Sequence, residues 1–175
     1  MNNTEKQIWT LHDLLDVDAS KFSVLEMQIK HQLTNNWVQK AQSIKLKSIL
    51  IKYGELISIH VDKLESFFKE QKFISLSSRH QIIQAFIKES DEKISMCSDN
   101  EVRDACLLAC IQEINHYKIS CYGTAAAFAN ALNMNKYAEI FHEFEVNEKQ
   151  IDDRLNQLAE FEINIRAKSP GILTR

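Results

Sequence analysis

The chain has 175 residues, a formal net charge of −3 at pH 7, three glycines and one proline. This length suits one domain with a sizeable core, and the scarcity of helix-breaking residues excludes a turn-rich all-β architecture. A pI near 6.1 without a basic block argues against a nucleic-acid partner. No run approaches the roughly 20 apolar residues of a membrane-spanning helix, and the first residues lack a signal-peptide core. We therefore expect a soluble, cytoplasmic protein without a membrane partner.

The first half of the chain predicts two long helices. Residues 1–18 are interpreted as an N-terminal lead-in with a short helix around Ile8 to Leu15, followed by a helix over about 19–42 and a second over about 44–71. Apolar residues recur there at steps of three and four, which is typical of a helix buried along one face. The predicted buried positions are Phe22, Glu26, Ile29, Leu33, Trp37 and Ala41, then Leu46, Ile49, Tyr53, Leu56, His60, Leu64 and Phe67.

The second half predicts two more long helices after a long connection. Residues 72–98 exceed a simple turn and contain a short helical pattern of their own. The third and fourth helices are predicted over about 99–132 and 136–161, and residues 162–175 are predicted to form a flexible tail. The predicted buried positions are Leu108, Ile111, Asn115, Ile119, Tyr122, Ala126 and Ala129, then Tyr137, Phe141, Phe144, Glu148, Ile151, Leu155 and Leu158.

Two helical hairpins joined by a long connection predict an all-α four-helix bundle over residues 19–161. The single long crossover, carrying a short extra helix, corresponds to the ferritin-like connectivity. Each long helix places one polar residue in its apolar face, namely Glu26, His60, Asn115 and Glu148. A buried carboxylate without a partner costs several kcal/mol, so Glu148 should be protonated, paired or bound to a metal. Without a metal, desolvation should raise its pKa.

The polar residues of the predicted core include candidate metal ligands. Carboxylates and imidazoles from facing helices build the di-iron and di-manganese centres of helical bundles. Glu26, His60 and Glu148 are the candidate ligands here, with His116 and Asp152 as further candidates nearby. The alternative is a core in which these side chains only hydrogen-bond one another. The sequence indicates no catalytic residue and no organic cofactor.

Three segments of the second half resemble a known family. Residues 102–108, 115–119 and 122–124 are similar to the Val-Arg-Asp-Ala-x-Leu, Glu-His-Tyr-Glu and Tyr-Gly-Thr segments of the YciE/YciF group of bacterial ferritin-like proteins. The segments around Glu148 and Glu26 also resemble that group, and the similarity covers about residues 20–160. The resemblance implies a dimeric ferritin-like bundle with a possible di-metal centre, a link to stress responses and no defined biochemical activity.

The departures from this family fall at the implied metal centre. Asn115, Lys118 and Leu56 stand where the family has glutamates, and His60 stands where it has glutamine. Two divalent metals would bring about +4 into a low-dielectric core that has lost much of its negative charge. The sequence therefore favours a core without metal. One Fe, Mn or Zn ion held by Glu26, His60 and Glu148 is the alternative, and a two-metal centre ranks last.

Two functions follow, and a third idea is weaker. The favoured one is a stress-associated binding or assembly module, not an enzyme, with a degenerate metal centre. The alternative is a metal-binding, oxidase-like or metal-storage protein with a rearranged site. A thiol sensor using Cys106 and Cys110 ranks last, because cysteines four residues apart on a helix rarely reach disulfide geometry. A homodimer is expected mainly from the family resemblance. Five aromatic residues beyond the needs of one four-helix core give it thin support, and the alternative is that they cap the bundle ends or cover the crossover helix: Trp9, Trp37, Phe67, Phe68 and Phe73. No small-molecule partner is indicated.

Overall fold

The computed structural model describes residues 7–71 and 80–168, and every regular element in those ranges is helical. The all-α bundle predicted from the sequence is thereby confirmed. The helices are α1 (Leu11–Gln32), α2 (Ile44–Gln71), α3 (Gln81–Met96), α4 (Asn100–Ala131) and α5 (Asn135–Leu158). Helix α1 continues through a π-helical turn, Leu33–Trp37, into Val38–Lys40, and α5 continues through a second π-helical turn, Ala159–Ile163, into Asn164–Lys168.

Both outer ends of the bundle are more helical than the sequence suggested. Helix α1 runs without a break from Leu11 to Gln32, so the short helix expected around Ile8 to Leu15 is the first part of α1, and the predicted boundary after residue 18 is wrong. The cause is a capping box, in which the Thr10 hydroxyl accepts from the Asp13 amide at 3.0 Å and the Asp13 carboxylate accepts from the Thr10 amide at 3.0 Å. At the other end, residues 162–168 are helical rather than part of a tail, whereas 169–175 lie outside the described residues.

The crossover brings the chain back to the end of the bundle from which α2 started. Asp104, near the start of α4, accepts from the backbone amides of Gln42 and Ser43, just before α2, at 2.8 and 2.7 Å. Helices α2 and α4 therefore begin at the same end and run in the same direction. Helix α3 is the short extra helix predicted within 72–98, and residues 72–79 of that connection lie outside the described residues.

A partly buried hydrogen-bond network attaches α3 to the bundle. The Asp91 carboxylate accepts from the Trp37 indole nitrogen at 2.9 Å, from Gln32 Nε2 at 2.8 Å and from Asn36 Nδ2 at 3.0 Å. These donors come from the first π-helical turn and the residue before it. Ile83 and Ile94 of α3 are buried in the same apolar cluster as Trp37. The π-helical turn thus presents its polar groups to the crossover helix.

The buried faces agree with the predicted ones in the first and fourth long helices and differ in part in the other two. In α2, Leu50 and Ile57 occupy core positions, whereas Ile49 and Leu56 are only partly buried. In the sequence, Ile49 and Leu50 are both apolar, as are Leu56 and Ile57. Hydrophobic periodicity therefore could not tell which residue of each pair faces the core. In α4, Lys118 is fully buried and Ile119 only partly so. The buried position is therefore 118 and not the predicted 119, because the lysine has partners inside the bundle.

The core divides into two apolar clusters with a polar layer between them. One cluster contains Ile29, Trp37 and Leu50, and the other contains Phe22, Phe67 and Phe141. Within the described ranges, no helix combines the length and the apolar character that crossing a membrane requires.

Candidate functional site: a buried ion-pair cluster

The polar layer contains side chains from all four long helices. We call these residues the core cluster, and each has an exposed fraction of 0%. Its members are Glu26 from α1, Tyr53 and His60 from α2, Asn115, Lys118 and Tyr122 from α4, and Glu148 from α5. The positions 115, 118 and 122 are spaced by three and four residues, which places them on one face of α4.

Lys118 lies at the centre of this cluster and joins its two carboxylates. The ammonium nitrogen is 2.7 Å from Glu26 Oε2 and 2.5 Å from Glu148 Oε1. It also donates to the Tyr53 hydroxyl at 3.2 Å. Charged groups this deeply buried require compensation by close opposite charges and hydrogen bonds. A single lysine supplies that compensation to carboxylates on α1 and α5.

The other two carboxylate oxygens are occupied by hydrogen-bond donors. Glu26 Oε1 accepts from His60 Nδ1 at 2.9 Å and from the Tyr122 hydroxyl. Glu148 Oε2 accepts from the Tyr53 hydroxyl at 2.6 Å and from Asn115 Nδ2 at 2.6 Å. The His60 nitrogen facing Glu26 carries a hydrogen, because an ionised carboxylate can only accept. Every oxygen of both carboxylates therefore faces a donor from the chain itself.

The His60 ring is fixed on both sides. It stacks on Phe144 with ring centroids 4.1 Å apart, and its Nε2 lies 3.3 Å from Asn147 Nδ2. A ring restrained in this way keeps its Nδ1 directed at Glu26.

The two carboxyl groups differ in acidity although they share one lysine. Burial alone would raise the pKa of Glu26, but the Lys118 charge and the His60 hydrogen bond outweigh it and lower the pKa to about 2. Burial raises the pKa of Glu148 above its ordinary value, and the Glu26 charge adds to this rise despite the nearby Lys118. The rise agrees with the sequence-based expectation. Two carboxylates and one ammonium leave an excess negative charge, which proton uptake by Glu148 would relieve.

The structure gathers three of the five predicted metal ligands. One ligand atom each of Glu26, His60 and Glu148 lies within 4.8 Å of the others. The His116 side chain is 64% exposed and pairs with Asp152 at 3.2 Å instead. Asp152 also accepts from Asn156 Nδ2 at 2.9 Å.

The geometry of Lys118 does not fit a two-metal centre. Its ammonium occupies the space between Glu26 Oε2 and Glu148 Oε1, which are the oxygens that would have to turn toward a metal. A divalent ion at this place would meet a buried like charge and compete with it for the same ligands. Asn115 and Leu56 provide no carboxylate in compensation. Even a single ion would have to displace the lysine.

Sequence reasoning identified both carboxylates and His60 but missed the central residue of the cluster. Lys118 was treated as a departure from the family pattern that brings a positive charge near the site, but its burial was not predicted, since a lysine inside a bundle is rare. The available signal was its spacing from Asn115 and Tyr122, which places all three on one helix face. Tyr53 and Tyr122 were predicted to be buried, but their hydroxyl groups were not assigned to the carboxylates.

Four long helices, a crossover helix and one polar layer define the class as an all-α helical bundle protein. Residues 4–168 match the family described as "Domain of unknown function (DUF892)", and the chain belongs to this family. It is 38% identical over 87 residues to protein YciF of Escherichia coli strain K12, an alignment covering 50% of this chain and 52% of YciF. The alignment thus spans about half the length of that curated relative. The resemblance to YciF-type proteins is confirmed.

Two solved structures extend the similarity to most of the fold. A structure of YcfI from Rhodopseudomonas palustris, described as a candidate structural protein, has a TM-score of 0.82 at 27% identity, covering 87% of this chain and 96% of that chain. The structure of the E. coli stress protein YciF has a TM-score of 0.81 at 26% identity, covering 90% of this chain and 99% of that chain.

Proposed function

We propose that this chain is a stress-associated binding or assembly module of ferritin-like ancestry whose bundle core functions without a metal ion. The position of Lys118 supports the proposal most directly, because its ammonium supplies inside the bundle the positive charge that a metal would otherwise supply. Each carboxylate oxygen already faces Lys118 or a hydrogen-bond donor, so a metal ion would have to displace one of these partners to gain a carboxylate ligand. In this proposal the cluster holds the four helices in register and performs no redox chemistry.

The relatives and the surface agree with a role in assembly. One relative is called a stress protein and another a candidate structural protein. The proposal includes a cytoplasmic homodimer, for which the exposed isoleucines Ile44, Ile51 and Ile59 on one face of α2 are candidate contacts. The aromatic argument for a dimer is weaker than the sequence suggested. Trp37 and Phe67 are core residues, Trp9 is exposed, and Phe73 lies outside the described residues.

Metal analysis tests this proposal. The purified protein and its Glu148→Ala variant would be analysed before and after loading with Fe(II), Mn(II) and Zn(II), with sedimentation velocity to determine the oligomeric state. We expect no metal that depends on Glu148, and a dimer in both proteins. Near-stoichiometric metal in the wild type that disappears in Glu148→Ala would refute a metal-free core. A monomer would refute the homodimer.

The convergence of Glu26, His60 and Glu148 supports one alternative function. If the lysine moved aside, these three side chains would supply the mixed oxygen and nitrogen ligands that iron, manganese and zinc accept. This alternative is a metal-binding, oxidase-like or storage protein with a rearranged site. Fe(II)-dependent oxygen consumption, present in the wild type and lost in Glu148→Ala, would establish the oxidase-like form of this alternative over the scaffold.

A further inference from the structure

A buried histidine begins the crossover helix α3. His80 is the N-cap residue of α3, and its exposed fraction is 5%. Its Nδ1 accepts from the backbone amide of Ile83 at 3.4 Å, which satisfies one of the amides that a helix leaves without a partner in its first turn. Caps are usually Ser, Thr, Asp or Asn, whose side chains do not change charge near neutral pH. A histidine does, so the start of α3 depends on the charge of one ring.

The contacts of the His80 ring fix the position of its hydrogen. A ring nitrogen that accepts from an amide carries no hydrogen, so the hydrogen of the neutral ring is on Nε2. Nε2 lies 3.4 Å from the Tyr117 hydroxyl on α4. The two rings meet edge to face, with centroids 5.8 Å apart. The neutral ring can therefore cap α3 through one nitrogen and donate to Tyr117 through the other.

A second proton on the His80 ring would remove the cap. Both nitrogens of a charged imidazole are donors, so Nδ1–H would point at the Ile83 amide, which is also a donor. The new positive charge would lie at the N-terminus of α3, the positive end of the helix dipole. Proton uptake by His80 and a closed first turn of α3 therefore oppose each other.

The groups around His80 together favour its neutral form. Burial lowers the pKa of His80 from an ordinary 6.5, and Lys21 on α1 lowers it further, because like charges repel. The Tyr117 hydroxyl faces the ring from α4. Burial raises the pKa of Tyr117, and Cys121 of α4 and Asp18 of α1 raise it further, so this hydroxyl remains neutral. A proton is thus more easily gained by His80 after the start of α3 has opened.

We propose that His80 is a pH-sensitive switch that keeps the first turn of α3 closed while its ring is neutral and opens this turn on acidification. The pKa of the ring is lower in the closed state than in the open one. The stability of the closed state is therefore complete above about pH 6.5 and is lost as pH falls from 6.5 toward the lower, closed-state value. Opening would uncover Ile83, which is 0% exposed in the closed state.

The opening should stay within the first half of α3. Asp91, about three turns beyond His80, accepts from Gln32 Nε2 at 2.8 Å and from the Trp37 indole nitrogen at 2.9 Å. These contacts hold the second half of α3 on the bundle independently of the His80 cap. The switch uses no residue of the core cluster, so it also stands independently of the function proposed above.

Amide hydrogen exchange measured by NMR tests the switch. Exchange of the Ile83 and Gln84 amides would be followed from about pH 7.5 to about pH 5.5 and corrected for the intrinsic effect of pH on exchange. The wild type would be compared with His80→Asn, which keeps a good cap that does not titrate. His142→Asn is the matched control, because the His142 side chain on α5 is 66% exposed.

The expected difference between the variants is large. With an open-state pKa near 6.5, the protection of both amides in the wild type and in His142→Asn should fall by as much as about tenfold across this range. His80→Asn should keep the same protection throughout. Amides near Asp91 should keep their protection in all three proteins, because the opening is local.

Two results of the exchange experiment would overturn the proposal. One is protection in the wild type that does not change with pH. The other is an equal loss in His80→Asn and wild type, because another group would then drive the opening. An NMR titration of the His80 ring in the wild type provides a test that needs no variant. It should give a pKa below 6.5, and a value at or above 6.5 would also overturn the proposal.

Discussion

Two lysines of similar contact geometry lie in opposite surroundings. Lys118 Nζ is 2.5 Å from Glu148 inside the bundle, and Lys63 Nζ is 2.5 Å from Glu143 on its surface. The first pair is 0% exposed, whereas the Lys63 and Glu143 side chains are 36% and 48% exposed. Both pairs connect different helices, so distance and topology do not separate them. The two ion pairs differ in interaction energy because water screens the outer pair and is excluded from the inner one.

The largest effect should come from Lys118→Met. This change keeps much of the side-chain volume but leaves two buried carboxylates without their cation. Removing one partner of a buried pair typically costs about 3–5 kcal/mol, and we expect a decrease of that order in the free energy of unfolding. Urea denaturation followed by circular dichroism measures it.

The double variant Lys118→Met with Glu148→Gln is the control for this effect. It removes one negative charge together with the positive charge, so it should recover part of the lost stability. No recovery would mean that packing of the lysine stem, rather than charge, explains the loss. Lys118→Met should also take up divalent metal more readily than the wild type, because the competing ammonium is gone.

The next effect concerns the end of the bundle where α2 and α4 begin. Asp104→Ala removes the acceptor for the amides of Gln42 and Ser43, which are otherwise donors without a helical partner. Losing a cap and burying unpaired donors costs about 1–3 kcal/mol. Asp104→Asn retains one acceptor and should lose less in the same denaturation assay. Equal stability of Asp104→Ala and wild type would show that water replaces the carboxylate fully.

The two core carboxyl groups should give opposite pH dependences. The pKa of Glu26 falls from an ordinary 4.5 to about 2 on folding, so its stabilisation is present above 4.5 and is lost as pH falls toward 2. The pKa of Glu148 is raised, so its contribution is present below 4.5 and is lost as pH rises through the folded value.

Denaturation series in matched variants separate these contributions. Glu26→Gln should flatten the acid side of the stability profile. Glu148→Gln should gain stability relative to the wild type as pH rises above 4.5. If both variants followed the wild-type profile in parallel, the two carboxyl groups would not carry the pH dependence.

The contrast between the two lysines also explains which parts of the fold and of the core cluster could be predicted from the sequence. Helix periodicity predicted the α1 and α5 faces, since their apolar positions are unambiguous. It placed Glu26 and Glu148 on these faces and His60 on the predicted inner face of α2, so all three were expected in the interior. It did not predict a buried Lys118, because a charged side chain is normally exposed to solvent. Only the carboxylate partners on α1 and α5 make its burial favourable. The start of helix α1 at Leu11 was not predicted, because it depends on a local capping box that hydrophobic periodicity does not reveal.

The smallest effect should come from Lys63→Ala on the surface. Exposed ion pairs contribute about 0.2–1 kcal/mol and weaken with added salt, so the free energy of unfolding should fall by no more than this. The difference between Lys63→Ala and wild type should shrink further at high ionic strength, whereas the difference caused by Lys118→Met should persist, because mobile ions cannot enter the core. Equal salt sensitivity of the two variants would mean that water reaches Lys118, and the core cluster would then be no better protected than the surface pair.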